Sequence, residues 1–344
     1  MTSGLLRAVS FTVLGVLAAM MVAFVAHGVW MDMGARARRR QVGRLRQGIA
    51  ALMGDPEALT TDWHPDRSRL YQQALNELAP SVSGATADWV EQEARSAGLT
   101  DAAARQCRAH RWWHRLRGVR QFELLGGGAD IVPALLEDRH PLVRCAAVAW
   151  VMRHPTPALI ARLVAMLDDP HRRCRFVAQD ALVRLGRPVS QPLADYLATS
   201  RTPGRVLALG VAVGLGDPRF LQPALAAAAD PEPAVRTLGA ALLAAVTGPA
   251  PERALISLLE DPSDPVRMAA ARGLGLLGSW KFAPRLAPLL RDPAWDVQRE
   301  AALTLLRLGP AGLLYLRREL DGPNRSAADM ARQVLDLPNR SSVR

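Results

Sequence analysis

Five aspartates, Asp138, Asp169, Asp230, Asp261 and Asp292, recur at intervals of 31, 61, 31 and 31 residues, each opening a segment of the form Asp-(Pro)-x-x-x-Val/Cys-Arg/Gln. A carboxylate followed six residues later by a guanidinium could act as proton acceptor and electrophile, or could form a charge-assisted hydrogen bond. Five copies of the segment, four with Arg and the last with Gln298, cannot all be catalytic, so the repetition favours structure. The aspartates are expected to accept free N–H groups at the start of a helix, while Arg236 and Arg267 reach a neighbouring Asp and build a ladder.

A second constellation, Cys107, His110 and His114, has the spacing of one helical face and the residue types of a zinc ligand set. Five arginines (Arg105, Arg108, Arg111, Arg115, Arg117) crowd the same stretch, and no carboxylate completes the set. The segment is therefore read as the second helix of a degenerate first repeat, with Trp112 and Trp113 one period before Val143 and Arg144. No nucleophile with an adjacent base, phosphate loop or metal set appears elsewhere, so neither catalytic residues nor a cofactor or metal is expected.

The elements that must position these residues follow from the period. A repeat of about 31 residues without strand-like alternation marks a solenoid of helix pairs, each covering its neighbour's apolar face. Composition agrees, with 49% apolar residues and 5% aromatics in 344 residues. First helices carry Leu135/Leu136, Leu159/Leu163, Leu255/Leu259 and Leu286/Leu290, and second helices carry Val143, Cys174, Val235, Val266 or Val297. Small residues three positions after each Arg/Gln (Ala147, Ala178, Gly239, Ala270, Ala301) allow close helix approach, and Gly186, Gly278 and Gly309 close second helices. The unit near Ser200 lacks the Asp, and its Gly210 and Gly214 are read as further points of close approach.

The stretch from Asp261 to Gly278, DPSDPVRMAAARGLGLLG, resembles a HEAT repeat of the short bacterial type first associated with phycobiliprotein lyase subunits. The resemblance extends over about residues 99–337. It implies an all-α architecture, a right-handed superhelix of antiparallel helix pairs with the second helices lining a concave face, and it implies little about function.

Charge and hydropathy add a topology. Between Arg7 and Asp32 no residue carries a formal charge, and Arg36, Arg38, Arg39, Arg40, Arg44 and Arg46 follow. Such a run reads as a signal anchor over 1–32, crossing the inner membrane once through residues 8–31, with the repeats held in the cytoplasm by the positive-inside bias. A cleaved signal peptide ending near Ala26–Gly28 is the rival. A basic juxtamembrane segment and linker (33–65), a helical cap (66–98), the repeats (99–337) and a tail (338–344) complete the expected organisation. The three cysteines lack disulfide or CxxC spacing.

The net charge of +11, carried by 43 Lys and Arg of which only Lys281 is lysine, is concentrated near the apolar run and along the repeats. Arg144, Arg172, Arg173, Arg175 and Arg184, in the two units before Ser200, are candidates for holding an acidic partner. The expected role is a membrane-anchored scaffold binding a protein, such as a membrane-associated enzyme complex. A bilin-lyase-like enzyme subunit and a nucleic-acid-binding HEAT-like protein are the alternatives, and nucleic acid is disfavoured for want of a base pocket.

Overall fold

The computed structural model describes residues 85–200 and 202–336. Every regular element among them is helical, and they divide into two compact units that meet in sequence at Val132 and Pro133. In the first unit, α1 (Ala85–Ser96), α2 (Leu99–Cys107) and α3 (Trp112–Leu125) pack together, with α2 and α3 forming a close pair around Leu99, Ala103, Val119 and Phe122. The helix breaks between Cys107 and Trp112, so Cys107 is buried while His110 and His114 are exposed. The single helical face expected for those three residues does not form.

The second unit is an all-helical solenoid of HEAT-like repeats. Its second helices are α4 (Pro141–Arg153), α6 (Arg172–Leu185), α8 (Gly204–Leu215), α10 (Pro233–Ala245), α12 (Asp264–Leu277), α14 (Trp295–Arg307) and α16 (Arg325–Leu335). Between them run the first helices α5 (Pro157–Ala165), α7 (Ser190–Thr199), α9 (Leu221–Ala228), α11 (Pro249–Leu258), α13 (Ala283–Leu286, continued as a 3-10 turn) and α15 (Pro310–Leu320). Even-numbered helices from α4 onward pack on one another in series.

The core is assembled from the repeated positions. Val143, Cys174, Val235, Val266 and Val297 are buried, as are Ala147, Ala178, Ala270 and Ala301, each four residues further on. At Gly239 a Cβ would sit 2.7 Å from the Ala227 carbonyl carbon and within 2.9 Å of Ala228 Cα, so α9 and α10 touch backbone to backbone there. Gly210 and Gly214 behave differently from expectation. A Cβ at Gly210 would meet only the Gln179 amide at 3.7 Å, and one at Gly214 would meet nothing within 4 Å, so neither glycine is required by packing.

Placement in the inner membrane is corrected. Among the described residues no helix is long and apolar enough to cross a membrane, and the run over residues 8–31 on which that expectation rested lies outside them. The juxtamembrane segment, most of the 66–98 cap and the tail lie outside them as well.

Candidate functional site

The aspartates sit just ahead of the second helices, and their role differs in detail from a helix cap. Asp169 and Asp292 adopt extended backbone (φ −54, ψ 134 and φ −60, ψ 143), the conformation imposed on a residue that precedes proline. The helix therefore starts three residues later, and the Asp Oδ1 accepts the N–H of the residue two positions on: His140 (2.8 Å), His171 (2.8 Å), Glu232 (3.0 Å), Ser263 (2.9 Å) and Ala294 (2.9 Å). This is an Asx turn that aims the chain into the helix.

The other side of the Asp169, Asp230, Asp261 and Asp292 carboxylates meets the arginine of the preceding unit. Arg144 donates Nε and Nη2 to the two Asp169 oxygens (both 2.7 Å), Arg236 to Asp261 (2.7 and 2.9 Å) and Arg267 to Asp292 (both 2.8 Å). The remaining Nη1 of each is anchored on the backbone oxygen of its own unit's Asp: Asp138 at 2.7 Å, Asp230 at 2.9 Å and Asp261 at 2.8 Å. One planar fork thus ties a turn to the next turn 25 residues on, which lysine could not do. In the rung between Arg144 and Asp169 the side chains retain 11% and 6% exposure. Burial there pushes the Asp169 carboxyl up, but the Arg144 fork and the His171 N–H outweigh it and the net shift is downward. At Asp261 the Arg236 bond is the largest influence and the shift is again downward.

Beyond Asp292 the ladder changes character. Gln298 takes the arginine position, donates to the Asp292 carbonyl and accepts from Ser326 Oγ at 2.9 Å, so the last rung is neutral. A parallel set of pairs joins the same repeats: Arg272 and Arg307 flank Glu300 at 2.9 and 2.7 Å, and Arg291 meets Glu319 at 2.8 Å.

At Ser200 the ladder is interrupted. Arg205 still reaches Asp230 (2.6 Å), but with a single Nη1, and its buried Nε has no hydrogen-bond partner among the described residues. This unit is one residue shorter: Arg205 lies five residues beyond Ser200, whereas its counterparts lie six beyond Asp. Ser200 Oγ takes over the turn, accepting from Thr202 N at 3.3 Å, and Asp168 supplies the missing carboxylate to the start of α8 by accepting from Gly204 N at 3.0 Å. Tyr196 donates to the other Asp168 oxygen at 2.6 Å, and burial with that bond pushes its phenol up. The sequence signal for Arg205 was weak because a one-residue deletion moved it out of register.

Of the arginines expected to face a partner, Arg144 is consumed by the ladder. The other four lie on α6. Arg172, Arg173 and Arg184 are exposed, Arg172 stacking over the half-exposed Phe176 ring at 5.2 Å and Arg184 lying 3.7 Å from the exposed Asp180. Arg175 is partly buried, with Nη1 on the Asp169 and Pro170 carbonyls at 2.8 and 3.2 Å. Cys145 and Cys174, on adjacent second helices, bring their sulfurs to 3.5 Å, and burial pushes the Cys174 thiol up to about 12 and the Cys107 thiol up to about 11. Neither is poised as a nucleophile. Among the described residues no group of three His, Cys, Asp or Glu could hold a metal.

Fold and ladder together define a solenoid of HEAT-like repeats. The family model for HEAT repeats matches residues 129–209 and 252–335, leaving out the region around the shortened unit's successor. No curated protein is recognisably similar in sequence. Among solved structures, Kap121p bound to Nup53p is similar at 14% identity and TM-score 0.51, covering 84% of this chain and 39% of that one. Human deoxyhypusine hydroxylase is similar at 22% identity over 72% of this chain and 96% of its own, with TM-score 0.29. The CpcE–CpcF phycocyanin lyase of Nostoc sp. is similar at 19% identity over 52% and 99%, with TM-score 0.30. These likenesses concern fold alone.

Proposed function

We propose that this chain is a scaffold or adaptor whose repeats hold an acidic protein partner against the arginine-bearing second helices ahead of Ser200. The observation that carries this reading is the solvent-exposed face of α6, where Arg172, Arg173 and Arg184 lie beside Phe176 (50% exposed) and Val183 (47%), with Asp180 as a nearby acid. Arginine beside an exposed aromatic is the composition of an interface centre, and the rung between Arg144 and Asp169 fixes the turn that leads into the helix carrying it. Closer packing among second helices than among first helices supports their lying on the inner side of the array. HEAT-repeat solenoids are typical of protein-interaction scaffolds, which is consistent with this reading.

The test is capture from an extract of the source cells by the full chain and two variants. Reversal of Arg172, Arg173 and Arg184 to Glu is expected to lose the captured acidic protein, while the same reversal of the exposed Arg317, Arg318 and Arg325 retains it. Raising ionic strength should weaken capture in the wild type. Equal capture by both variants would sink the proposal.

A further inference from the structure

We infer that the interrupted rung is a receptor for one carboxylate side chain, an Asp or Glu within an acidic segment of the partner, which completes the ladder in trans. This inference rests on the proposed function and assigns it a single anchoring point.

Arg175 is built like Arg144, Arg236 and Arg267. Its Nη1 is held by the carbonyls of Asp169 and Pro170 (2.8 and 3.2 Å), as Nη1 of Arg267 is held by those of Asp261 and Pro262 (2.8 and 3.2 Å). In the other three, that anchorage turns Nε and Nη2 toward the carboxylate 25 residues on. For Arg175 the residue 25 positions on is Ser200, whose hydroxyl is engaged with Thr202 Oγ1 at 2.7 Å and Thr202 N. The nearby carboxylates are also committed: Asp169 to Arg144, and Asp168 to Tyr196 and Gly204. Among the described residues, the Nε–Nη2 edge of Arg175 meets no carboxylate.

A cavity of about 460 Å³ opens at this place, lined by Arg172, Arg175, Phe176, Pro203, Gly204 and Val206 among others. Successive second helices pack least closely here, between α6 and α8, so the gap coincides with the missing rung. Phe176 and Val206 (38% exposed) leave apolar surface at the mouth for a residue flanking the acid. Charge decides the class of occupant. Asp168 and Asp169 also line the cavity, and their carboxylates oppose a phosphate dianion, whereas one carboxylate reproduces the charge that every intact rung carries.

The probe is a fluorescein-labelled peptide copying residues 259–264, Leu-Glu-Asp-Pro-Ser-Asp, which carries the ladder's own turn, and its binding to the full chain is read by fluorescence polarisation. The wild type should bind it, and the Asp→Asn peptide should bind about tenfold or more weakly, the cost of losing a charge-assisted pair. Ser200→Asp, which supplies the carboxylate in cis, should weaken binding by a similar factor while raising the melting temperature. Arg175→Lys, which keeps the charge and loses the fork, should also weaken it, at a temperature where its helical circular dichroism equals that of the wild type. Absence of peptide binding would overturn the inference, leaving the proposed function to be judged by the capture experiment. Binding lost on reversal of Arg172, Arg173 and Arg184 but indifferent to Ser200→Asp and Arg175→Lys would overturn it while supporting the broader acidic face. Displacement by inorganic phosphate in preference to the peptide would overturn it in favour of a phosphorylated ligand.

Discussion

A single arginine in each intact unit does three jobs: it holds its own turn, grips the next carboxylate with two parallel bonds and neutralises it. Asp169 and Arg144 are the best-shielded example, so Asp169→Asn should destabilise the chain by about 2 kcal/mol in urea unfolding, because a buried guanidinium is left with half its partners. The pH dependence has a defined sign. Asp169 and Asp261 are shifted below the ordinary carboxylate value of 3.8, so the unfolded chain binds protons first as pH falls. The rungs' contribution is present above that value and is lost as pH drops through the lower native ones. Urea midpoints should be level through neutral pH, decline in that acidic window, and decline less steeply in Asp169→Asn. The Asp positions were legible in the sequence because their period repeats without error on either side of Ser200. Arg144 was harder to place, since one arginine in an arginine-rich stretch looks like any other until its distance to the next Asp is compared with that of Arg236 and Arg267. The aspartates' turn geometry was not legible either, because a cap and an Asx turn use the same residue type and differ only in how many residues further on the helix begins.

Elements in this fold are short, and their junctions are where side-chain size matters. The α9–α10 contact leaves no room at Gly239, and Gly239→Ala should cost about 1–3 kcal/mol as two backbones are pushed apart. Gly214→Ala should act in the opposite sense and stabilise by about 0.5–1 kcal/mol, since α8 has open space there and alanine favours the helix. Thermal melts of the two variants, one lowered and one raised, would check both. Reading the sequence placed these glycines together as packing residues, and only Gly239 is one. What separates them is the distance to a neighbouring helix, which no single sequence records. The helix break at residues 108–111 was missed for a related reason: that stretch contains neither Gly nor Pro, and apolar spacing on both sides continues as if one helix ran through.

At the scale of the whole molecule, a solenoid stabilised by nearest-neighbour rungs can lose one without unfolding, and this chain has used that tolerance between α6 and α8. Its repeats were legible because periodicity is a global property of the sequence; its partner is not, because a recognition face is written in exposure and orientation. The central claim is that an acidic protein docks on α6 ahead of the interrupted rung. It is tested most directly by replacing Phe176 with a photo-cross-linking phenylalanine analogue in the full chain, with the same analogue at Trp280, the most exposed large apolar side chain among the described residues (72%), as the comparison. The account predicts an adduct from position 176 whose cross-linked peptide from the partner contains Asp or Glu within a few residues of the attachment point, and little from position 280. Adducts from position 280 alone, or a neutral or basic peptide at position 176, would contradict it.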